Sequence, residues 1–182
     1  MRGLLAMGQE HIDDSQQLEF FQDRTPTTPP MQEKCMGIPI YKVTLIRERK
    51  MPWYETRMRN SQMVSTILHS FLEGVDREHF VVVLLDQKNQ IIGLNTVSMG
   101  SLTASVVHPR EVFKPAILSN AASIVCGHNH PSSDPLPSRE DRALTTRLVE
   151  AGKLLGISVL DHIIIGDGTS AYFSFADEGL LQ

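Results

Sequence analysis

Two histidines, two residues apart at the end of an apolar run, constrain this chain more than any other feature. Ala121 to Val125 leads into Cys126-Gly127-His128-Asn129-His130. In an extended segment residues i and i+2 point to the same side, so a strand ending here can aim both imidazoles at one point. Pro131, Pro135 and Pro137 then hold the following loop out of helix and central strand. Ser138 opens a helical pattern, with Asp141 in its first turn. Two imidazoles and a carboxylate are a usual ligand set for a borderline metal, and three protein ligands leave a fourth tetrahedral position for water. Water held by zinc loses its proton near neutral pH and becomes a nucleophile. Ser138-x-x-Asp141 also reads as a helix cap, with the acid favoured at the helix N-terminus. The two readings are compatible.

The rest of the chain bounds the setting. One domain plus an appendage is the natural expectation for 182 residues. The chain holds no apolar run of membrane-spanning length, and its start, with Glu10, Asp13 and Asp14 close behind, is a poor signal peptide. These features predict a cytoplasmic protein with no membrane partner. Cys35 and Cys126 fit no disulfide framework. Cys126 is either a fourth ligand or, as favoured here, a small buried hydrophobe. A net charge of −4 does not describe a chain that coats nucleic acid.

In chain order, residues 1–37 are rich in Gln, Thr and Pro and read as a disordered tail or linker. Alternation predicts a strand over Ile38 to Ile46, and a turn at Lys50-Met51-Pro52 leads to a second strand, Trp53 to Met58. This hairpin carries Arg47, Arg49, Lys50, Arg57 and Arg59 beside Trp53 and Tyr54. That mixture suits either single-stranded nucleic acid or a solvated face. Asn60-Ser61 caps a helix of inward Met63, Val64, Ile67, Leu68, Phe71 and Leu72, closed by Gly74. Arg77 to Asp86 is a buried β-branched strand, Asp86 to Asn89 a turn, and Gln90 to Met99 the returning strand. Gly100 to Val107 reads as a loop and short strand. His108-Pro109 opens a helix with Val112, Phe113, Ala116 and Ile117 inward, and Pro115 late enough to kink or shorten it. Arg139 to Leu155 is the next helix, stopped by Gly156. Ile157 to Gly166 is a strand containing His162, which either contacts the site or, as favoured, is an internally satisfied strand histidine. Asp167-Gly168 turns the chain, and Ala171 to Phe175 closes the sheet.

His-x-His, seven residues, Ser, two residues, Asp is the spacing of the JAMM signature, and Asn129 with the three prolines and Ser138 resembles its RadC branch. The resemblance is clearest from Glu78 to about Phe175, and residues 38–74 resemble the lead-in of short RadC-like proteins. It implies an α/β domain over residues 38–178, of the JAB/MPN (cytidine-deaminase-like) fold, with a mixed curved sheet flanked by helices and a metal-binding core at 78–175. It further implies Zn2+ held by His128, His130 and Asp141, with Glu78 as general base. Ser138 would stabilise an oxyanion or orient water. Glu111 is the alternative base, with favourable charge at a helix start as its other role. The implied function is a zinc metallopeptidase or isopeptidase acting on a peptide or isopeptide. A DNA-repair-associated accessory protein binding DNA through the basic hairpin is the alternative, and a metal-free scaffold ranks third. One departure is visible: Ser133 stands where the branch usually has glycine, and serine tolerates positive φ poorly. Metallo-β-lactamase, zinc-deaminase, thermolysin-type and phosphate-loop patterns are all absent.

Overall fold

The computed structural model describes residues 38–100 and 107–181. The expected tail at 1–37 and the short strand near 101–106 lie outside the described residues. The chain divides into units at Lys42 and Val43, and the fold below belongs to the second.

Eight elements follow in order: α1 (Ser61–Phe71), β1 (His79–Leu85), β2 (Ile91–Met99), α2 (Pro109–Leu118), β3 (Ser123–His130), α3 (Arg139–Leu155), β4 (Ser158–Gly166) and β5 (Tyr172–Ser174). The sheet order is β2-β1-β3-β4-β5. The β1–β2, β1–β3 and β4–β5 pairs are antiparallel, and β3–β4 is parallel, with α3 as its crossover. The mixed α/β architecture agrees with the fold class read from the sequence.

Helices cover both faces, which is why β1 and β3 are apolar at successive positions instead of alternating. On one face Phe80, Val82, Leu84, Ile124 and Cys126 pack with Val112, Phe113 and Ala116 of α2 and Leu144, Leu148 and Val149 of α3. On the other, Val81, Val83, Leu85, Val125, Ile163 and Ile165 pack with Val64, Leu68 and Leu72 around α1. Gly127 admits this close approach, because a Cβ there would sit 2.4 Å from Leu68 Cδ1. Among the described residues no helix is long and apolar enough to cross a membrane.

The local chemistry behaves as the residues dictate. Asn60 caps α1 by accepting the Met63 N–H at 2.9 Å. Asp86 Oδ1 accepts from the N–H groups of Lys88 and Gln90, closing the β1–β2 turn around Asn89 at φ +57°. Gly156 ends α3 in the left-handed region at φ +70°. Pro115 lies inside α2, which stops at Leu118.

Three expectations are corrected. The hairpin does not form: residues 38–53 carry no ladder, and the second arm instead joins the start of β2. Ile91 N–H donates to Thr56 O at 2.7 Å, Met58 N–H to Asn89 O at 2.8 Å, and Arg57 bridges Gln90. Val43 and Ile46 are exposed, so the alternation there has no buried face to serve. Ile117 is 54% exposed where an inward position was expected, because the apolar stripe of α2 is narrower than its run of hydrophobic residues. Gly74, at φ +75°, lies two residues beyond the cap residue Leu72, so it turns the chain after α1 has already ended.

Candidate metal centre

The site stands at the C-terminal end of β3, the central strand. His128 is paired across to Phe80 on β1 and to Ile164 on β4. Continuing the β1–β3 register sets Glu78 opposite His130. The two histidines leave the strand on one side, as their spacing requires, and their Nε2 atoms are 3.0 Å apart. Glu78, His128 and His130 each offer a ligand atom, all within 4.8 Å of one another. From the first turn of α3, Asp141 faces both rings: Oδ1 is 3.3 Å from His128 Nε2 and Oδ2 is 3.6 Å from His130 Nε2. Glu78 Oε1 is 3.8 Å from His128 Nε2. His128 and Asp141 are buried, while Glu78 and His130 are partly open to solvent.

Each group is held from behind. Ser138 caps α3 in a full capping box: its Oγ accepts the Asp141 N–H, and its own N–H and O–H donate to Asp141 Oδ2 at 2.7 and 2.5 Å. The capping reading of Ser138-x-x-Asp141 is therefore observed, and it aims the carboxylate's other oxygen at His128. His130 Nδ1–H donates to Asp134 O at 2.7 Å, which leaves Nε2 of the neutral ring bare toward the site. Asn129, the residue between the histidines, points the other way and is buried. Its Oδ1 accepts the His79 N–H at 2.8 Å and its Nδ2 donates to Arg77 O at 3.1 Å. It thereby grips the peptides on either side of Glu78. Sequence reading gave Asn129 no role, although strand alternation already set it on the face opposite the histidines.

The electrostatics suit a cation. Burial opposes the charge on Asp141, but the two imidazoles and Ser138 outweigh it and hold the carboxyl well below the usual range. His130 is raised, chiefly by Asp141 and against its own burial. Burial drives His162 well below its ordinary value, which favours the neutral ring. Asp141 Oδ1 is buried with no hydrogen-bond partner although His128 Nε2 is beside it. A bare carboxylate oxygen, a bare imidazole nitrogen and a second carboxylate crowded together call for a positive charge among them, and nitrogen and oxygen donors of these types suit a borderline divalent ion. The donor set fits a metal.

Other candidates lie elsewhere. Glu111 pairs with Lys114 and Arg110 on the exposed side of α2. Its pKa is lowered by Lys114, and it does not join the cluster. His108 caps α2 by accepting the Arg110 N–H. Cys126 is buried in the core, where desolvation pushes its thiol up, in keeping with the hydrophobe reading. His79 Nδ1 lies 3.0 Å from Arg77 O. His162 is both internally satisfied and in contact with the site, at 2.9 Å from His128 Nδ1, which corrects the preference for a histidine apart from it. Of the basic residues, Arg59 pairs with Glu55 and Arg49 lies over Phe71. The hairpin that would have presented them to a nucleic acid is not formed.

Ser133 does occupy positive φ, at +66°. Its Oγ–H donates to Asp167 O at 2.6 Å, which offsets the strain. Ser133→Gly is expected to leave stability within about 1 kcal/mol, relief of strain balancing a lost hydrogen bond. Ser133→Val, β-branched at positive φ and without the hydroxyl, should cost about 1–3 kcal/mol in thermal unfolding.

Fold and donor cluster together define an α/β domain built around a centre that could hold a metal ion. The chain belongs to the RadC-like JAB domain family, whose model matches residues 58–180. Its relatives include a UPF0758 protein of Rubrobacter xylanophilus, 55% identical over 118 residues that cover 65% of this chain and 51% of that protein. A UPF0758 protein of Methanococcoides burtonii is 50% identical over 126 residues, covering 69% of this chain and 54% of that one. Another from Caldanaerobacter subterraneus is 59% identical over 105 residues, covering 58% and 45%. The chain thus spans about half the length of the curated relatives it matches.

Proposed function

We propose that this domain is a zinc-dependent hydrolase of the JAMM type that cleaves peptide or isopeptide bonds. The observation that carries the reading is the convergence on one point of His128 and His130 from β3, Asp141 from α3 and Glu78 from the residue before β1, with Asp141 Oδ1 left bare. His128, His130 and Asp141 would hold the ion. When bound, the zinc would supply Lewis acidity to the carbonyl and acidify the attacking water. Glu78, at the open side of the cluster with its flanking peptides held by Asn129, would serve as the general base that takes a proton from the attacking water and returns it to the leaving amine. Ser138 keeps its hydroxyl proton on Asp141, so its first task is to orient that carboxylate, and an oxyanion role would require it to swing free.

The test begins with metal content. Purified protein should carry about one zinc per chain by emission spectroscopy, and His128→Ala should carry next to none. The loaded protein should cleave a fluorogenic peptide or an isopeptide-linked lysine substrate, lose that activity to a chelator and regain it with zinc. Protein that takes up no divalent ion, or that hydrolyses equally well without one, ends the reading.

A further inference from the structure

Behind His128 runs a line of buried polar groups to which the proposed chemistry gives no part. His128 Nδ1 lies 2.9 Å from His162 Nε2, and His162 Nδ1 lies 2.6 Å from Thr145 Oγ1. Thr145 Oγ1 in turn lies 2.7 Å from the backbone carbonyl of Asp141. His128 and His162 are fully buried, and Thr145 is nearly so. The rings cannot turn freely. Phe175 stacks on His162 with centroids 5.2 Å apart, Phe80 stacks on His128 at 5.9 Å, and Phe80 also touches His162 at 5.4 Å.

The direction of this line is decided at its far end. A carbonyl oxygen only accepts, so the Thr145 hydroxyl must donate to Asp141 O. A hydroxyl has one hydrogen, so Thr145 Oγ1 can only accept from His162, whose Nδ1 carries the proton. A neutral imidazole has one N–H, so His162 Nε2 is bare and accepts from His128 Nδ1–H. His128 Nε2 is then bare as well, and it is the atom that faces His130, Asp141 and Glu78.

We infer that Thr145 and His162 are positioning residues that fix the tautomer of His128, wiring its Nε2 lone pair toward the metal through a one-way hydrogen-bond chain anchored on the Asp141 carbonyl. The chain begins and ends on the same residue, since the Asp141 carboxylate meets the lone pair that the Asp141 carbonyl dictates. Outer partners of this kind typically change metal affinity by about 10–100-fold. The inference rests on the metal-centre reading for its purpose, but the tautomer itself can be read without metal.

Two measurements test it. In metal-free wild-type protein, long-range 15N–1H NMR of the histidine side chains above neutral pH should show both His128 and His162 protonated at Nδ1. Thr145→Val removes the acceptor, so His162 should shift its proton to Nε2, donate to His128 and invert the His128 tautomer. Thr145→Ser should restore the wild-type pattern, which a purely structural role for the threonine would not predict. In parallel, Zn2+ affinity measured against a chelating dye should fall by about 10–100-fold in Thr145→Val and in His162→Phe, the latter keeping an aromatic ring between Phe80 and Phe175. Wild-type His128 found protonated at Nε2 overturns the inference, as does Zn2+ affinity within threefold of wild type in folded Thr145→Val. Should His162→Phe fail to fold, the wild-type spectrum and the threonine pair still decide. Wild-type protein that shows the expected tautomers but binds no Zn2+ upholds the wiring and removes the metal reading alone.

Discussion

Glu78→Gln is expected to lower kcat by about 10²–10⁴-fold while leaving the bound ion in place. That loss corresponds to roughly 3–5 kcal/mol of transition-state stabilisation. The amide keeps the size and shape of the carboxylate, and Asn129 holds the flanking peptides through backbone groups that the substitution does not touch. The substitution removes the negative charge and, with it, the capacity to take a proton. The experiment also separates two assignments of the cluster. Glu78, His128 and His130 lie close enough to hold an ion by themselves, whereas the proposed ligand set uses Asp141 in place of Glu78. If Glu78 were a ligand, Glu78→Gln would lose metal together with rate and Asp141→Asn would keep much of both. With Glu78 as base, Asp141→Asn loses metal and Glu78→Gln loses only rate. Zinc content by emission spectroscopy beside single-turnover kinetics distinguishes them, and a fully active Glu78→Gln protein would remove Glu78 from the chemistry.

The legible part of the site is the part governed by local spacing. His128 and His130 project to one side because a strand alternates, and Asp141 reaches them because it is the third residue after the cap Ser138. The bounds of α3 followed from Ser138 and Gly156, both of which are local signals. Glu78 is different. Its residue type and its place before a strand do not mark it as a base, and only the family resemblance singled it out. The structure supplies the physical reason for its position, which is the antiparallel register of β1 on β3 and the grip of Asn129. Contact of His162 with the site was the less favoured of its two readings, because that contact with His128 spans 34 residues and depends on the parallel register of β3 on β4, where Cys126 and not His128 is its direct partner. The failed hairpin has the opposite cause. Alternation from Ile40 to Ile46 is a sound strand signal, but a strand also needs a partner edge and a face to bury, and the start of β2 takes up the second arm instead.

Gly166→Ala should injure the site without touching a donor. A Cβ on Gly166 would sit 2.2 Å from Ser133 O and 2.9 Å from both Ser133 C and Thr169 Oγ1. The obstacle is backbone, and it is pinned. Ser133 N–H donates to His130 O at 3.0 Å, Ser133 Oγ–H to Asp167 O at 2.6 Å, and Asp167 N–H to His130 O at 3.1 Å. The carbonyl of a proposed ligand is thus the shared acceptor for both sides of the crowded turn, so any shift that admits the methyl group is transmitted to His130. Overpacking of this kind costs about 1–3 kcal/mol, which for a domain of this size lowers Tm by roughly 2–4 °C per kcal/mol. Zn2+ affinity should fall together with Tm. Gly168→Ala is the control two residues away: its φ is +68°, but nothing lies within 4 Å of the added methyl group. It should therefore show the backbone strain, about 1 kcal/mol, and wild-type metal binding. A Gly166→Ala protein that melts with wild type and binds Zn2+ as tightly would mean that the loop after β3 yields freely, and that His130 is not held in place by the turn beneath it.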